Sequence, residues 1–214
     1  EQRLSAEQKM PTSLGRRSSD AADAGPAPRP DAVVRIATSA MMMEDSSLVQ
    51  RIAEMVNGAY GYRRISQQDV RDRVAMGDAG TWANRVMHLA WQGDELVGCC
   101  SSTIQPPFTC CGCGHWGLMV VDCSAQGTGV ASALIAAAEQ RLAAAGCIAI
   151  QIEYEYTVGD DFSERLRQWY ESKLGFNCLS GRPGTTRGQH EFRVCHKRLR
   201  PEGCSHCCHL CVVS

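Results

Sequence analysis

A short run, Gln126-Gly-Thr-Gly-Val-Ala131, is the part of the chain whose residue types and spacing best suit chemistry. It follows an apolar, strand-like run from Leu118 to Val121 and a polar turn from Asp122 to Ala125. It opens a helical pattern that reaches about Ala145. A helix start leaves several backbone N–H groups without intrahelical acceptors, all at the positive end of the dipole. Gly127 and Gly129 carry no side chain, so an anion can approach that backbone closely. The place suits a phosphate or pyrophosphate. Two common phosphate loops do not fit it. A Walker loop needs Lys and then Ser or Thr after the second Gly, which this run lacks. The dinucleotide fingerprint needs a third small residue at fixed spacing inside a βαβ unit, and Gly127-x-Gly129-x-x-Ser132 has no βαβ repeat upstream. Beyond the helix, Glu153 and Glu155 alternate with Ile152 and Tyr154 in a strand pattern. They therefore share one face, roughly 7 Å apart at about 3.3 Å per residue. Two carboxylates so placed can accept a proton directly or through water. His115, where the strand before the loop begins, is a further candidate base.

The loop resembles the acetyl-CoA-binding motif of the GNAT superfamily of N-acetyltransferases, which is written Arg or Gln, Gly, x, Gly, x, then Gly or Ala. Gln126, Gly127, Gly129 and Ala131 satisfy every specified position. The resemblance implies that backbone amides across Gln126, Gly127, Thr128, Gly129, Val130 and Ala131 bind the CoA pyrophosphate. It also implies that the backbone of Met119, Val120 and Val121 pairs with the pantetheine arm as an added strand would. Cys123 stands where many relatives carry Pro. A second signature, Tyr-x-x-x-Gly-Phe at the end of the last helix, is similar to Trp169-Tyr-Glu-Ser-Lys-Leu-Gly-Phe176. In the family that Tyr commonly protonates the departing CoA thiolate. Here Tyr170 lies five residues before Gly175 rather than four. One residue turns a side chain by about 100° around an α-helix, which sets Tyr170 off the family position. Ser163 stands where relatives often place an Asn that contacts the cofactor. The family's cleft opens where the next strand splays from the central one, and this puts Glu153 and Glu155 forward as the base that takes the amine's proton.

The elements that must position these groups follow from periodicity. Val33–Thr38 reads as a first strand. Helices follow from Asp45 or Ser46 to about Gly58, and from a Ser66 cap through Val70 and Val74. Strands at Val86–Trp91 and Glu95–Ile104 flank Gln92-Gly-Asp94, a hairpin signal. A Cys- and Gly-rich linker, Thr109–Gly114, leads to the strand at Leu118. Strand Cys147–Tyr156, a helix from Ser163 to Leu174 stopped by Gly175, and strands near 176–179 and 190–199 complete the pattern. By itself the order says mixed α/β. The resemblance, over residues 33–199, implies an α/β (α+β) fold: a GNAT-like, mostly antiparallel central sheet of six to seven strands flanked by about four helices.

Residues 1–31 are rich in Ser, Ala, Pro, Arg and Asp and read as a disordered tail; residues 32–200 form the GNAT-like domain, and 201–214 a Cys-rich tail. The chain opens with Glu1 rather than Met, so its true start is taken to be processed or missing. The 22 Lys+Arg and 23 Asp+Glu give a net charge of −1, which excludes a nucleic-acid electrostatic footprint. No apolar run approaches a membrane span. An odd, unevenly spaced set of 13 cysteines argues against a disulfide framework and for a reducing, cytoplasmic compartment. Cys99, Cys100 and Cys147 read as small buried hydrophobes. Cys211-Val-Val-Ser214 matches a farnesylation ending, with Cys207 and Cys208 as palmitoylation sites and His196–Arg200 as basic charge, which together would give membrane association. A metal reading of Cys204, His206, Cys207, His209 and Cys211 competes with it, as does a tail without a role; no metal is assigned. The expectation is an acetyl-CoA-dependent N-acetyltransferase acting on a primary amine (small molecule or peptide) by direct transfer in a ternary complex. Acceptor choice is assigned to Tyr60–Arg64 and Val158–Phe162. The alternative is a non-catalytic CoA-binding or membrane-tethered regulatory module, favoured by the displaced Tyr170.

Overall fold

The computed structural model describes residues 31–80, 83–183 and 190–199, so both tails, including Cys204–Ser214, lie outside the described residues. Seven strands form one sheet: β1 (Val33–Ile36), β2 (Arg85–Gln92), β3 (Glu95–Thr103), β4 (Cys113–Val121), β5 (Ala149–Thr157), β6 (Asn177–Pro183) and β7 (His190–Arg198). The strand order is β1-β2-β3-β4-β5-β7-β6. Every neighbouring pair is antiparallel except β4 and β5. Three helices, α1 (Ser39–Glu44), α2 (Ser47–Tyr60) and α3 (Gln67–Gly77), pack on one face of the sheet. On the other lie α4 (Val130–Ala144) and α5 (Asp161–Arg167). The mixed sheet agrees with expectation. The helix beyond the expected four is α1, whose six residues are too few to show a period.

Local chemistry explains the borders. In α2, Leu48, Val49, Ile52, Val56 and Tyr60 are buried along one stripe, and the helix stops at Gly61 with φ 70°. Ser66 and Asp69 form a reciprocal capping box at the start of α3. The β2–β3 hairpin turns at Gly93 with φ 62°, and Gln92 pairs with Glu95. Along β5, Ile150, Ile152, Tyr154 and Tyr156 enter the core beneath α4 and α5, while Glu153 and Glu155 share the opposite face as expected. Strand β4 is longer than its apolar run: it begins at Cys113, so Cys113 and Gly114 are strand rather than linker, and His115, Trp116 and Gly117 continue it to Leu118.

Two irregularities of β4 shape the site. Cys99 pairs with Val120 and Ser101 with Gly117, so Leu118 and Met119 together face Cys100 in a bulge. Leu118 takes φ 51° there, a left-handed conformation that a branched residue adopts only under constraint. A bulge bends and twists its strand. On the other side, β4 and β5 pair only at Cys113–Ala149 and Gly114–Ile150, and the strands then fork.

The cysteine expectation is corrected in part. Cys178 and Cys195 are disulfide-bonded across β6 and β7. They are direct cross-strand partners, a closeness set by register that their 17-residue separation does not reveal. Cys99, Cys100 and Cys147 are buried free thiols, as expected. Among the described residues no helix is long and apolar enough to cross a membrane.

Candidate functional site

The glycine loop is built at the C-terminal end of β4. Asp122 caps a short 3-10 turn, Cys123–Ala125, by accepting from Ser124 N at 2.8 Å. The helix starts at Val130 rather than at Gln126. Gly127 and Gly129 take φ 80° and 91°, and Gly129 is the N-cap of α4 without a side-chain bond. Gln126 to Gly129 are therefore an exposed loop laid over the helix entrance. A Cβ at either glycine would meet nothing within 4 Å, so the space above them is open. The first N–H groups of α4, at Val130, Ala131 and Ser132, lack intrahelical acceptors by construction. Thr128 turns its hydroxyl inward, donating to Ala125 O at 2.7 Å and accepting from Gln92 Nε2 at 3.3 Å. Gln92 braces the loop from the end of β2. The sequence shows it only as a hairpin residue, because its contact is 36 residues away.

From this loop, Val121, Val120 and Met119 run back along β4 beyond the pairs it makes with β5, which places their backbone edge on the fork. At the base of the fork His115 bridges the two strands, its Nδ1 lying 2.9 Å from Gln151 O. A carbonyl can only accept, so Nδ1 carries the hydrogen and Nε2 keeps a lone pair. The ring lies over Gly117, where an added Cβ would come within 2.9 Å of Nε2. Burial, offset in part by the Gln151 bond and helped by Arg85, holds His115 below the ordinary imidazole range. It is neutral at pH 7. Gln151 continues the network: Oε1 accepts from Cys110 N at 2.8 Å and His196 Nε2 at 3.2 Å, and Nε2 donates to Glu153 Oε1 at 3.4 Å. Glu153 thus stands beside His115 through one glutamine, and Glu155 lies two residues further along β5.

Tyr170 lies across the core-side mouth of the fork. It is 1% exposed and packed against the rings of Trp116, Tyr154, Trp169 and Phe176, with centroids 4.9–6.3 Å away. The extra residue between Tyr170 and Gly175 has a local backbone counterpart. After α5 the chain forms a π turn, Gln168–Lys173, in which Leu174 N donates to Trp169 O at 3.0 Å. A π turn holds one residue more than an α turn and takes up the extra residue between Tyr170 and Gly175. Gly175 has φ 74°, and Phe176 N closes on Tyr170 O at 3.0 Å. Burial, with Tyr60 second, raises the Tyr170 phenol well above the ordinary tyrosine range. Its hydroxyl makes no hydrogen bond to another described residue. Ser163, where relatives carry Asn, is used locally: its Oγ donates to Asp160 Oδ2 at 2.9 Å and accepts from Thr157 N at 3.1 Å.

Among the described residues no group of three or more His, Cys, Asp or Glu is placed to hold a metal. Of the basic run near the tail, Lys197 is committed to Glu139 at 2.8 Å and His196 to Gln151.

The described residues thus bring together a glycine loop with open space above it, a forked central strand and a phenol buried among aromatic rings, on a mixed α/β sheet. A model of the Acetyltransferase (GNAT) family matches residues 49–176, more than half of the chain, and the chain belongs to that family. Solved structures share the fold at low identity. An aminoglycoside 6'-N-acetyltransferase complexed with coenzyme A is 16% identical, with a TM-score of 0.59 over 79% of this chain and 98% of that one. The NatC complex bound to Gag peptide and CoA is 14% identical, with a TM-score of 0.58 over 79% and 99%. The yncA protein of Salmonella typhimurium, with its cofactor acetyl-CoA, is 15% identical, with a TM-score of 0.55 over 83% and 99%. No curated protein is similar enough in sequence to match the chain.

Proposed function

We propose that this chain is an N-acetyltransferase that moves an acetyl group from acetyl-CoA to a primary amine, with both substrates bound at once. The observation that carries the reading is the fork. Pairing of β4 with β5 stops after Gly114, which leaves a backbone edge from His115 to Val121 that leads to the anion loop. In this reading the amides of Gln126 to Ala131 hold the pyrophosphate, and Met119, Val120 and Val121 hydrogen-bond the pantetheine arm. The structural relatives solved with CoA or acetyl-CoA support that choice of co-substrate.

The neutral amine attacks the acetyl carbonyl, forming the C–N bond as the carbonyl π electrons move to oxygen. A base takes the ammonium proton, the C–S bond breaks, and the CoA sulfur leaves with a proton from a donor. His115 Nε2 holds a lone pair at the base of the fork, with Glu153 next in the network to receive the proton; Glu155 extends the same acidic face. Tyr170 is the donor. Its raised pKa keeps the phenol protonated at neutral pH, and its hydroxyl has no described protein acceptor competing for the hydrogen. A non-catalytic module would keep the loop and strand without working proton-transfer groups; the π turn, which accommodates the extra residue before Gly175, supports the catalytic reading instead. Thiol release from acetyl-CoA, measured against a panel of amines, tests the reading. Acceptor-dependent release with intersecting initial-rate lines and no acetyl-enzyme mass is expected. CoA binding without release from any amine would end it.

A further inference from the structure

Three arginines on the acceptor side of the sheet form no ion pair with a carboxylate among the described residues. Arg85 opens β2, and its Nε donates to Thr103 Oγ1 at 2.9 Å. Thr103 is the register partner of Arg85 on one side and of His115 on the other, so guanidinium, hydroxyl and imidazole form one row across three strands, leading to the fork. Arg73 reaches this row from α3, which packs on β2. Arg64, between α2 and α3, lies over the Tyr60 ring at 5.5 Å. All three are partly buried. Their fields overlap: Arg73 is held down by burial first and then by Arg85, with Arg64 adding to it. Asp69 is the one carboxylate whose charge acts on Arg73, and its oxygen also accepts from Ser66 N and Oγ at 2.7 and 2.6 Å.

Other cations of the sheet and its helices are neutralised or satisfied: Arg51 by Asp45, Arg167 by Glu164, Arg193 by Glu171 and Glu191, Lys197 by Glu139, and the partly buried Arg141 by the carbonyls of Ser102 and Ala83 and the Ser102 hydroxyl. Three half-buried like charges opposed by the single carboxylate of Asp69 are costly, and a bound anion offsets that cost. The cofactor phosphates cannot be that anion. From His115 to Val121 the strand runs on the order of 20 Å at about 3.3 Å per residue, which separates this row from the glycine loop.

Resting on the transferase reading, we infer that the acceptor is an amine that carries an anionic group of its own, a carboxylate or a phosphate, held by Arg85, Arg73 and Arg64. The amine then lies toward His115 and Glu153, and the anion toward α3. A polycation such as an aminoglycoside is opposed by the same three charges.

The test uses matched acceptors with the full chain: glycine against glycinamide, phosphoethanolamine against ethanolamine, an Asp-Gly-Gly against a Lys-Gly-Gly peptide, and kanamycin. The anionic member of at least one pair is expected to have the higher kcat/KM by tenfold or more. Arg73→Gln is expected to collapse that ratio at least tenfold through KM, Arg73→Lys to retain most of it, and CoA affinity by calorimetry to show that both variants are folded. The pair that responds separates carboxylate from phosphate. Preference for neutral or polycationic acceptors, or a ratio unmoved in Arg73→Gln, overturns the anion site while leaving the transferase standing. No thiol release from any amine removes both.

Discussion

Replacing Tyr170 by Phe separates the chemistry of one hydroxyl from the packing of its ring. The ring is 1% exposed, with four aromatic neighbours, and Phe keeps all of those contacts. Because no described residue bonds to the phenol, its loss strands no buried partner, and the change in folding free energy is expected within about 0.5 kcal/mol. Removing the ring as Tyr170→Ala would instead cost about 3–5 kcal/mol through the cavity left among those aromatics. If the phenol delivers the proton to sulfur, its loss lowers kcat by about 100-fold or more, the usual worth of a general acid. The phenol is raised above its ordinary value of 10.0, so wild-type kcat should show no alkaline fall from this group through pH 10. Folding has the matching sign. Above pH 10 the unfolded chain loses this proton and the folded chain keeps it, so stability falls as pH rises through that range. The assay is steady-state thiol release from pH 6 to 10, with the melting temperature of both proteins alongside. A Tyr170→Phe protein that melts like the wild type and turns over within twofold of it would refute the assignment.

Gly129→Ala forces a Cβ onto φ 91° with open space around it, so it should cost only about 1–2 kcal/mol of stability. In the proposed binding mode the methyl enters the space assigned to the phosphates, and calorimetry should show CoA binding at least tenfold weaker. His115→Gln should lower kcat/KM by about 100-fold. The wild-type acid limb should lie below pH 6.5, since a lowered pKa keeps the imidazole neutral there, and should vanish in the variant; an unchanged limb excludes His115. His88 is buried on β2 and held at about 4 by burial and then by Arg141, with its Nε2 lying 2.9 Å from Ser102 Oγ. Its folded-state pKa is depressed, so its contribution is present above pH 6.5 and lost as pH falls toward 4, about 2 kcal/mol by pH 5. Urea unfolding at pH 7 and 5 should show that loss in the wild type and much less of it in His88→Gln.

The sequence shows the fold well where one local signal decides it. Leu48, Ile52 and Val56 mark the buried stripe of α2, Ser66 the start of α3, and the alternation of Ile150 to Tyr156 the two faces of β5. The glycine loop is legible for the same reason, since its glycines and the helix onset are neighbours in the chain. What stays hidden depends on pairing. Cys113 and Gly114 look like linker because their strand character comes from Ala149 and Ile150 of β5, and the bulge at Leu118 exists only as a mismatch with Cys99–Ser101. His115 becomes a fixed tautomer only through Gln151, and the arginine row only through strand register. The π turn is an intermediate case: the spacing of Tyr170 and Gly175 shows an extra residue, but only the backbone shows where it goes.

The fork also bears on how the molecule holds together. Strands β1 to β4 and strands β5 to β7 meet through two residue pairs, supported by the helices on either side. A chain-like ligand lying in the gap would act as the missing ply between two half-sheets. Its arrival would stiffen the whole body as well as fill a pocket, and saturation should raise the melting temperature by mass action. A protein with an empty gap would breathe about that seam, and amide exchange along Ile152 to Tyr156 would slow once the ligand is in place.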